Sequence, residues 1–340
     1  GRGVVRFREF ETKERRAERF RLALRALIEL DPDLVLFQEM NPVSVQGREI
    51  VRVLGGRFLG RVDQSGLKIF YQGWPKNLAT GLGILVRGSL GLLEQPSGPP
   101  PFLRLSGSMG FSGERMSFHL DEQRYAQFQS VLHETLGRLL VVNTHLHHGF
   151  ERFSALIQKL ESALNEGRVS RSDHEGVLRA LDKACARRAE EIDRILEVVH
   201  RFARDYDGGL VGGGLNSTPE GAAYKTVVLD GFKDLGASQG PTWDPILNRE
   251  NHELQSSLGF DFPLPDFGNR TFIEIYRDFD REARRIDFLF GKGSLKNGRE
   301  AVRLQKVELF GQPSKKQTMA PSDHFGVMAT FGASDQRSES

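Results

Sequence analysis

Five short segments place acids, amides and histidines directly beside apolar runs. Glu39 closes "DLVLFQE", Asn143 and His145 lie in "VVNTHL", and Asn216 follows the glycines of "GGGLNSTPE". Asp287 sits inside "RRIDFLF", and Asp323 with His324 opens "PSDHFGVMATF". Carboxylates, an amide and histidines at strand ends are what hydrolysis of a phosphoester at neutral pH requires. Carboxylates hold a hard divalent cation, and N–H donors neutralise charge on the phosphoryl oxygens around an aligned water. Each segment alone has a plain reading: a solvated turn acid at Glu39, a satisfied edge histidine at His145, and a helix start capped by Ser217 or Thr218 after Asn216. A second Ser-Asp-His at 172–174 lies in a charged helical stretch with no strand behind it. There Asp173 reads as a first-turn helix residue and His174 as solvated.

Taken together, in this order, the segments resemble the endonuclease/exonuclease/phosphatase superfamily of metal-dependent phosphoesterases, over nearly the whole chain from Glu39 to His324. The resemblance implies that Glu39 holds Mg²⁺, with Mn²⁺ as the other candidate, and that Asp323 lies near the metal. It implies that His145 contacts the scissile phosphate and that Asn216 supports nucleophile and phosphate. Asp287 would orient His324, since a carboxylate behind an imidazole fixes its tautomer and favours its protonated form. Asn143 beside His145 is a further candidate for substrate contact. "PTWDPILN" at 241–248 resembles a segment of bacterial, sphingomyelinase-like phosphodiesterases, in which Trp243 would line the substrate mouth or plug the loop. Trp74 in "YQGWPKN" carries the same two readings. Arg188 matches a family arginine on the helix after the His145 strand, although in so charged a helix a solvated face is the expectation.

Two positions differ from the family pattern. Gly-Asp-x-Asn is expected where this chain reads Gly213, Gly214, Leu215, Asn216, so glycine stands where an acid would align the attacking water. The intact flanks show no need of the fold for glycine there. Losing such a group lowers the rate by about a hundredfold to ten-thousandfold. The family's opening strand with a metal-binding Asn also has no counterpart in "GRGVVRFREF", and because the chain starts at Gly1 rather than Met, a truncated or processed start is expected. Two readings follow: a metal-dependent phosphodiesterase weakened or silenced by Gly214, or a catalytically silent paralogue that binds a phosphoester or a protein partner.

The elements that must position these residues are legible in the periodicity. Apolar residues at helical spacing predict a helix over 11–30 stopped by Pro32, and a second over 43–55. Short β-rich runs follow at 57–62, 67–72, 82–86 and 125–132, then strands at 137–148 and 208–216. The charged segment 151–204 reads as a helical insertion, 219–231 as a short helix, and strands are expected near 270–276, 284–290, 302–310 and 324–331. Strands with helices interspersed, rather than strict alternation, predict an α+β protein. The resemblance makes it a four-layer α/β/β/α sandwich with two packed mixed sheets, one domain over 1–333 and a polar tail at 334–340. The stretch 238–268 reads as a long functional loop.

Composition bounds the rest. With 39% hydrophobic and 27% charged residues among 340, the chain has the profile of a globular protein. Lys and Arg total 47 against 45 Asp and Glu, a net charge of +2, so nucleic acid is possible as substrate but not indicated by charge. The single cysteine, Cys185, excludes an internal disulfide and a thiolate zinc site. No apolar run is long enough to span a bilayer. A monomer is expected.

Overall fold

The structure, a computed structural model, describes residues 12–40, 43–53, 58–63, 68–71, 74–77, 81–88, 90–93, 98–107, 109–112, 117–120, 124–147, 151–250, 271–272, 274–275, 281–294, 302–314 and 317–333. Its first helix, α1 (Lys13–Leu30), is capped by Thr12, whose hydroxyl accepts from the Arg15 N–H at 3.1 Å. The helix ends at Leu30, as expected ahead of Pro32. Asp31 turns left-handed at φ 44° and its N–H returns to the Leu27 carbonyl, because the residue before a proline is disfavoured in helical geometry.

There follow β1 (Leu34–Met40), α2 (Val43–Val53), β2 (Phe58–Asp63), β3 (Lys68–Tyr71), β4 (Trp74–Asn77), β5 (Gly81–Arg87), β6 (Gly91–Leu93), β7 (Phe102–Ser106), β8 (Met109–Ser112) and β9 (Ser117–Leu120). The long central strands are β10 (Arg124–His133) and β11 (Gly137–His145). Next come α3 (Ser154–Asn165), α4 (Arg171–Phe202), β12 (Gly208–Gly214), α5 (Ala222–Leu229) and β13 (Lys233–Asp234), then β14 (Asp287–Gly293), β15 (Val302–Phe310) and β16 (Gly326–Ala333).

Two sheets carry the site. One has three strands in the order β1-β5-β2, and the other has seven, β13-β14-β12-β11-β10-β6 with β7 also on β10. Pairing is antiparallel in the first sheet, while the second contains one parallel pair among its described strands, β11 with β12. "Mixed" therefore describes only the larger sheet.

Alternation along β11 explains how the layers stack. Leu139 and Val141 join Ile84, Val86, Leu210 and partly buried Leu34 and Leu36 in the cluster between the sheets. Leu140 and Val142 point the other way, into a cluster with Ile192, Ile195 and Val199 of α4 and Val227 of α5. Such two-faced burial is why the strand reads as a continuous apolar run rather than an alternating one. On the outer face of the smaller sheet, Leu27 of α1 and Ile50 of α2 pack on Leu85.

Three expectations are corrected. Residues 271–272 and 274–275 are helical, not strand. Helix α5 starts at Ala222 with Gly221 as its N-cap, not Ser217 or Thr218, because both of those are bound by the buried Glu151 carboxylate. The 151–204 segment is helical as expected, but its charge conceals a buried face. Arg188 is 1% exposed and His174 is buried rather than solvated, while Asp173 lies in the first turn under the Ser170 cap. Trp74 falls in β4, but its side chain, the opening "GRGVVRFREF", residues 251–268 of the long loop and the 334–340 tail lie outside the described residues. No helix among the described residues is long and apolar enough to cross a membrane.

Candidate active site

Three adjacent strands bring the candidates together. Gly214 pairs with His145 on its parallel side and with Asp287 on its antiparallel side, so these three stand in a row at the ends of β11, β12 and β14. The ladder continues one step beyond, with Leu146 N donating to the Gly214 carbonyl at 2.9 Å and Leu215 N to that of Ile286 at 2.9 Å. Chain order puts Asn216 just past this row. Its side-chain N–H donates to the Leu146 carbonyl at 2.8 Å. Glu151, which sequence reasoning missed, holds the following turn through Ser217 and the Thr218 N–H.

His324 joins from the loop before β16. Its Nδ1 lies 2.7 Å from Asp287 Oδ2. Burial pushes the imidazolium down, but the charge and hydrogen bond of Asp287, with Asp323 and Glu39 adding to them, outweigh it and raise the group to about 10. His324 is therefore a cation at neutral pH. Trp243 packs edge-on against it, with ring centroids 4.9 Å apart. Thr242 and Trp243 pin the neighbouring strands. The Thr242 hydroxyl accepts from Ile286 N and Asp287 N, its carbonyl accepts from Phe325 N, and Trp243 exchanges backbone bonds with Arg284. Trp243 is 7% exposed and acts as a wall behind His324.

Glu39 approaches from the smaller sheet. A register shift between Phe37 and Met40 places it at φ 55°, and its Oε1 lies 3.7 Å from His145 Nδ1. Asn216 is also left-handed, at φ 50°. Strained non-glycine residues of this kind persist where surrounding structure over-determines them, typically at functional sites. Asp323 accepts from Ser322 Oγ and lies 3.9 Å from the Arg19 guanidinium of α1.

The expectation for Asn143 is corrected. Fully buried, it accepts from Gln38 Nε2 at 2.6 Å and donates to the carbonyls of Phe37 and Gly83 at 2.9 and 3.0 Å. Its amide ties the two sheets together below the site, out of reach of a substrate. Sequence reasoning also missed Arg124, 2% exposed, whose Nη1 lies 3.0 Å from His145 Nδ1.

Gly214 needs a correction too. Its backbone suits any residue, but a Cβ there would come within 2.9 Å of His145 Cδ2 and 3.1 Å of Asp287 Oδ1, tighter than real contacts allow without movement. Its neighbour Gly213 is required outright, since at φ 137° a side chain would collide with the Thr144 carbonyl.

A divalent cation would find two carboxylates here, Glu39 and Asp323, both close enough to act on His324. Among the described residues no group of three or more His, Cys, Asp or Glu is placed to hold a metal. Two carboxylates fit a largely hydrated Mg²⁺ and not an all-protein cage.

No protein-family model and no curated protein matches the sequence. Solved structures do. The endonuclease/exonuclease/phosphatase from Bacteroides vulgatus aligns over 94% of this chain and 91% of its own, at 15% identity and a TM-score of 0.54. D. rerio TDP2 complexed with single strand DNA product aligns over 95% of each chain, at 16% identity and a TM-score of 0.53. Truncated Caenorhabditis elegans TDP2 covers 94% of this chain and 92% of its own, at 17% identity and a TM-score of 0.52. Likeness at this identity speaks for architecture, and the chain has the fold of the endonuclease/exonuclease/phosphatase proteins.

Proposed function

We propose that this site binds phosphoesters and hydrolyses phosphodiesters weakly or not at all. The observation that carries the reading is the row His145, Gly214, Asp287 across three strands, with the His324 imidazolium bonded to its end. Positive and N–H-bearing groups of this kind receive phosphoryl oxygens. A base for water is what the row lacks. Gly214 has no side chain, and Asp287 is engaged with His324. When bound by Glu39 and Asp323, Mg²⁺ or Mn²⁺ would supply Lewis acidity toward a phosphoryl oxygen. His324 would donate to a non-bridging oxygen or to the leaving group, and Asn216, fixed by Leu146, would orient the phosphate.

Hydrolysis of single-strand DNA, a phospholipid, an inositol phosphate and a nucleotide, each with Mg²⁺ or Mn²⁺, tests the reading. The wild-type chain is expected to turn over slowly at most, and Gly214→Asp to raise metal-dependent turnover by at least about a hundredfold. The new carboxylate must displace the edge of the His145 ring, so stability is followed alongside rate. Equal activity in both forms would assign the base to another residue. Equal inactivity would favour a silent paralogue that only binds.

A further inference from the structure

We propose that Arg124 is a positioning residue that fixes His145 as an N–H donor through Nε2 to a phosphoryl oxygen, an inference that rests on the phosphoester reading above. A guanidinium dictates what its hydrogen-bond partner can be. It carries N–H donors and no acceptor, and it stays charged at any pH a protein survives. Arg124 Nη1 lies 3.0 Å from His145 Nδ1, so Nδ1 must offer its lone pair and the ring proton must sit on Nε2.

The competing partner is Glu39, which would accept from a proton on Nδ1 and set the opposite tautomer. Its carboxylate is 3.7 Å away, beyond hydrogen-bonding distance. Both members of the pair are buried, at 2% and 7% exposure, which strengthens the bond and keeps water from reshuffling it.

Ring geometry then gives the donor a direction. Nε2 and Cδ2 form the edge that faces Gly214, at 3.4 and 2.9 Å from where a Cβ would stand. This edge opens on the strand-end row that includes Asp287. A histidine with a permanent cation behind it does not take a proton from water through Nε2, because that nitrogen already carries one. His145 thus cannot replace the acid missing at 214, and its contribution is to bind the anionic oxygen.

How Arg124 comes to face His145 is also visible. Arg124 opens β10 where its pairing with β7 slips, the extra residue Leu105 lying on β7 and loosening strict register at this end of the strand.

Long-range ¹H–¹⁵N correlation of the histidine-labelled full chain tests the proposal, with His145→Gln to assign the signal. The wild type is expected to show His145 protonated on Nε2 and bare on Nδ1. Arg124→Lys, which keeps a charged donor, should preserve that pattern, and Arg124→Met should lose it. Calorimetric titration with inorganic phosphate should show affinity about tenfold weaker in Arg124→Met than in wild type, with Arg124→Lys between them. A wild-type ring protonated on Nδ1 overturns the proposal, whether or not the methionine variant folds. So does an unchanged tautomer in a folded Arg124→Met. Should the tautomer be as expected while the wild type binds no phosphate, Arg124 keeps its role toward His145 and the phosphoester reading fails.

Discussion

Two histidines stand at the strand-end row, His145 beside Gly214 and His324 behind Asp287, and they are built on opposite electrostatics. His324 has the Asp287 carboxylate at its Nδ1 and is held as an imidazolium, whereas His145 has the Arg124 guanidinium at the same atom. On the proposed reading, one would bring a charge to a phosphate and the other an aimed N–H. The same side chain does two jobs because its partner across Nδ1 differs. This division is set by pairs far apart in sequence, 37 residues for Asp287 with His324 and 21 for Arg124 with His145.

The sharpest way to break this comparison is Asp287→Asn. With the carboxylate gone, the His324 pKa should fall from about 10 toward its ordinary value of about 6.5. An NMR titration with a chelator present measures it, and an unmoved pKa would sink the pairing. The same shift sets a pH dependence of stability. Because the folded pKa lies above the unfolded one, the stabilisation is complete below about pH 6.5 and is lost as pH rises through about 10. Denaturant midpoints across that window should decline in the wild type and stay flatter in Asp287→Asn.

Next in size is Asn143→Ala, which strips partners from the Phe37 and Gly83 carbonyls and the Gln38 amide. We expect a loss of roughly 3 kcal/mol in unfolding free energy, with phosphate affinity unchanged. A variant of normal stability that binds phosphate poorly would return Asn143 to the substrate. Smaller still is Gly214→Ala, at about 1–2 kcal/mol, since His145 and Asp287 are each held by a partner and must give way to the new methyl. Neutrality here would mean that the two rims of the row yield freely, and the contrast between a pinned His145 and a pinned His324 would lose its basis.

Much of the site could be read from the chain because each polar candidate follows or precedes a strand whose apolar run is conspicuous. Glu39, His145, Asn216, Asp287, Asp323 and His324 all have that signature, and the structure gathers them. Asn143 shares it and yet serves the sheets, because the carbonyls it binds, on β1 and β5, lie 106 and 60 residues away in sequence. Arg124 was illegible for the reverse reason: it opens a strand like the other candidates, but an arginine ahead of a strand reads as solvated, and its partner His145 lies 21 residues away. Arg188 and His174 were misread because an abundance of charge along α4 hides which face turns inward. Only packing against neighbours separates one arginine from the next.

Glu39 carries a consequence of another kind. A glutamate at φ 55° occupies a conformation in which glycine is more comfortable, so Glu39→Gly should leave the protein as stable as before or raise its stability by up to about 1 kcal/mol. Thermal melting of this one variant would measure the strain that the backbone at Glu39 carries. In evolutionary terms, a chain whose site had fallen wholly out of use would be free to shed such a residue early, by a single substitution that its stability would reward. On the proposed reading, Gly214 would mark an acid lost and Glu39 one kept under strain, and the pair would record how far a phosphoester site had been dismantled.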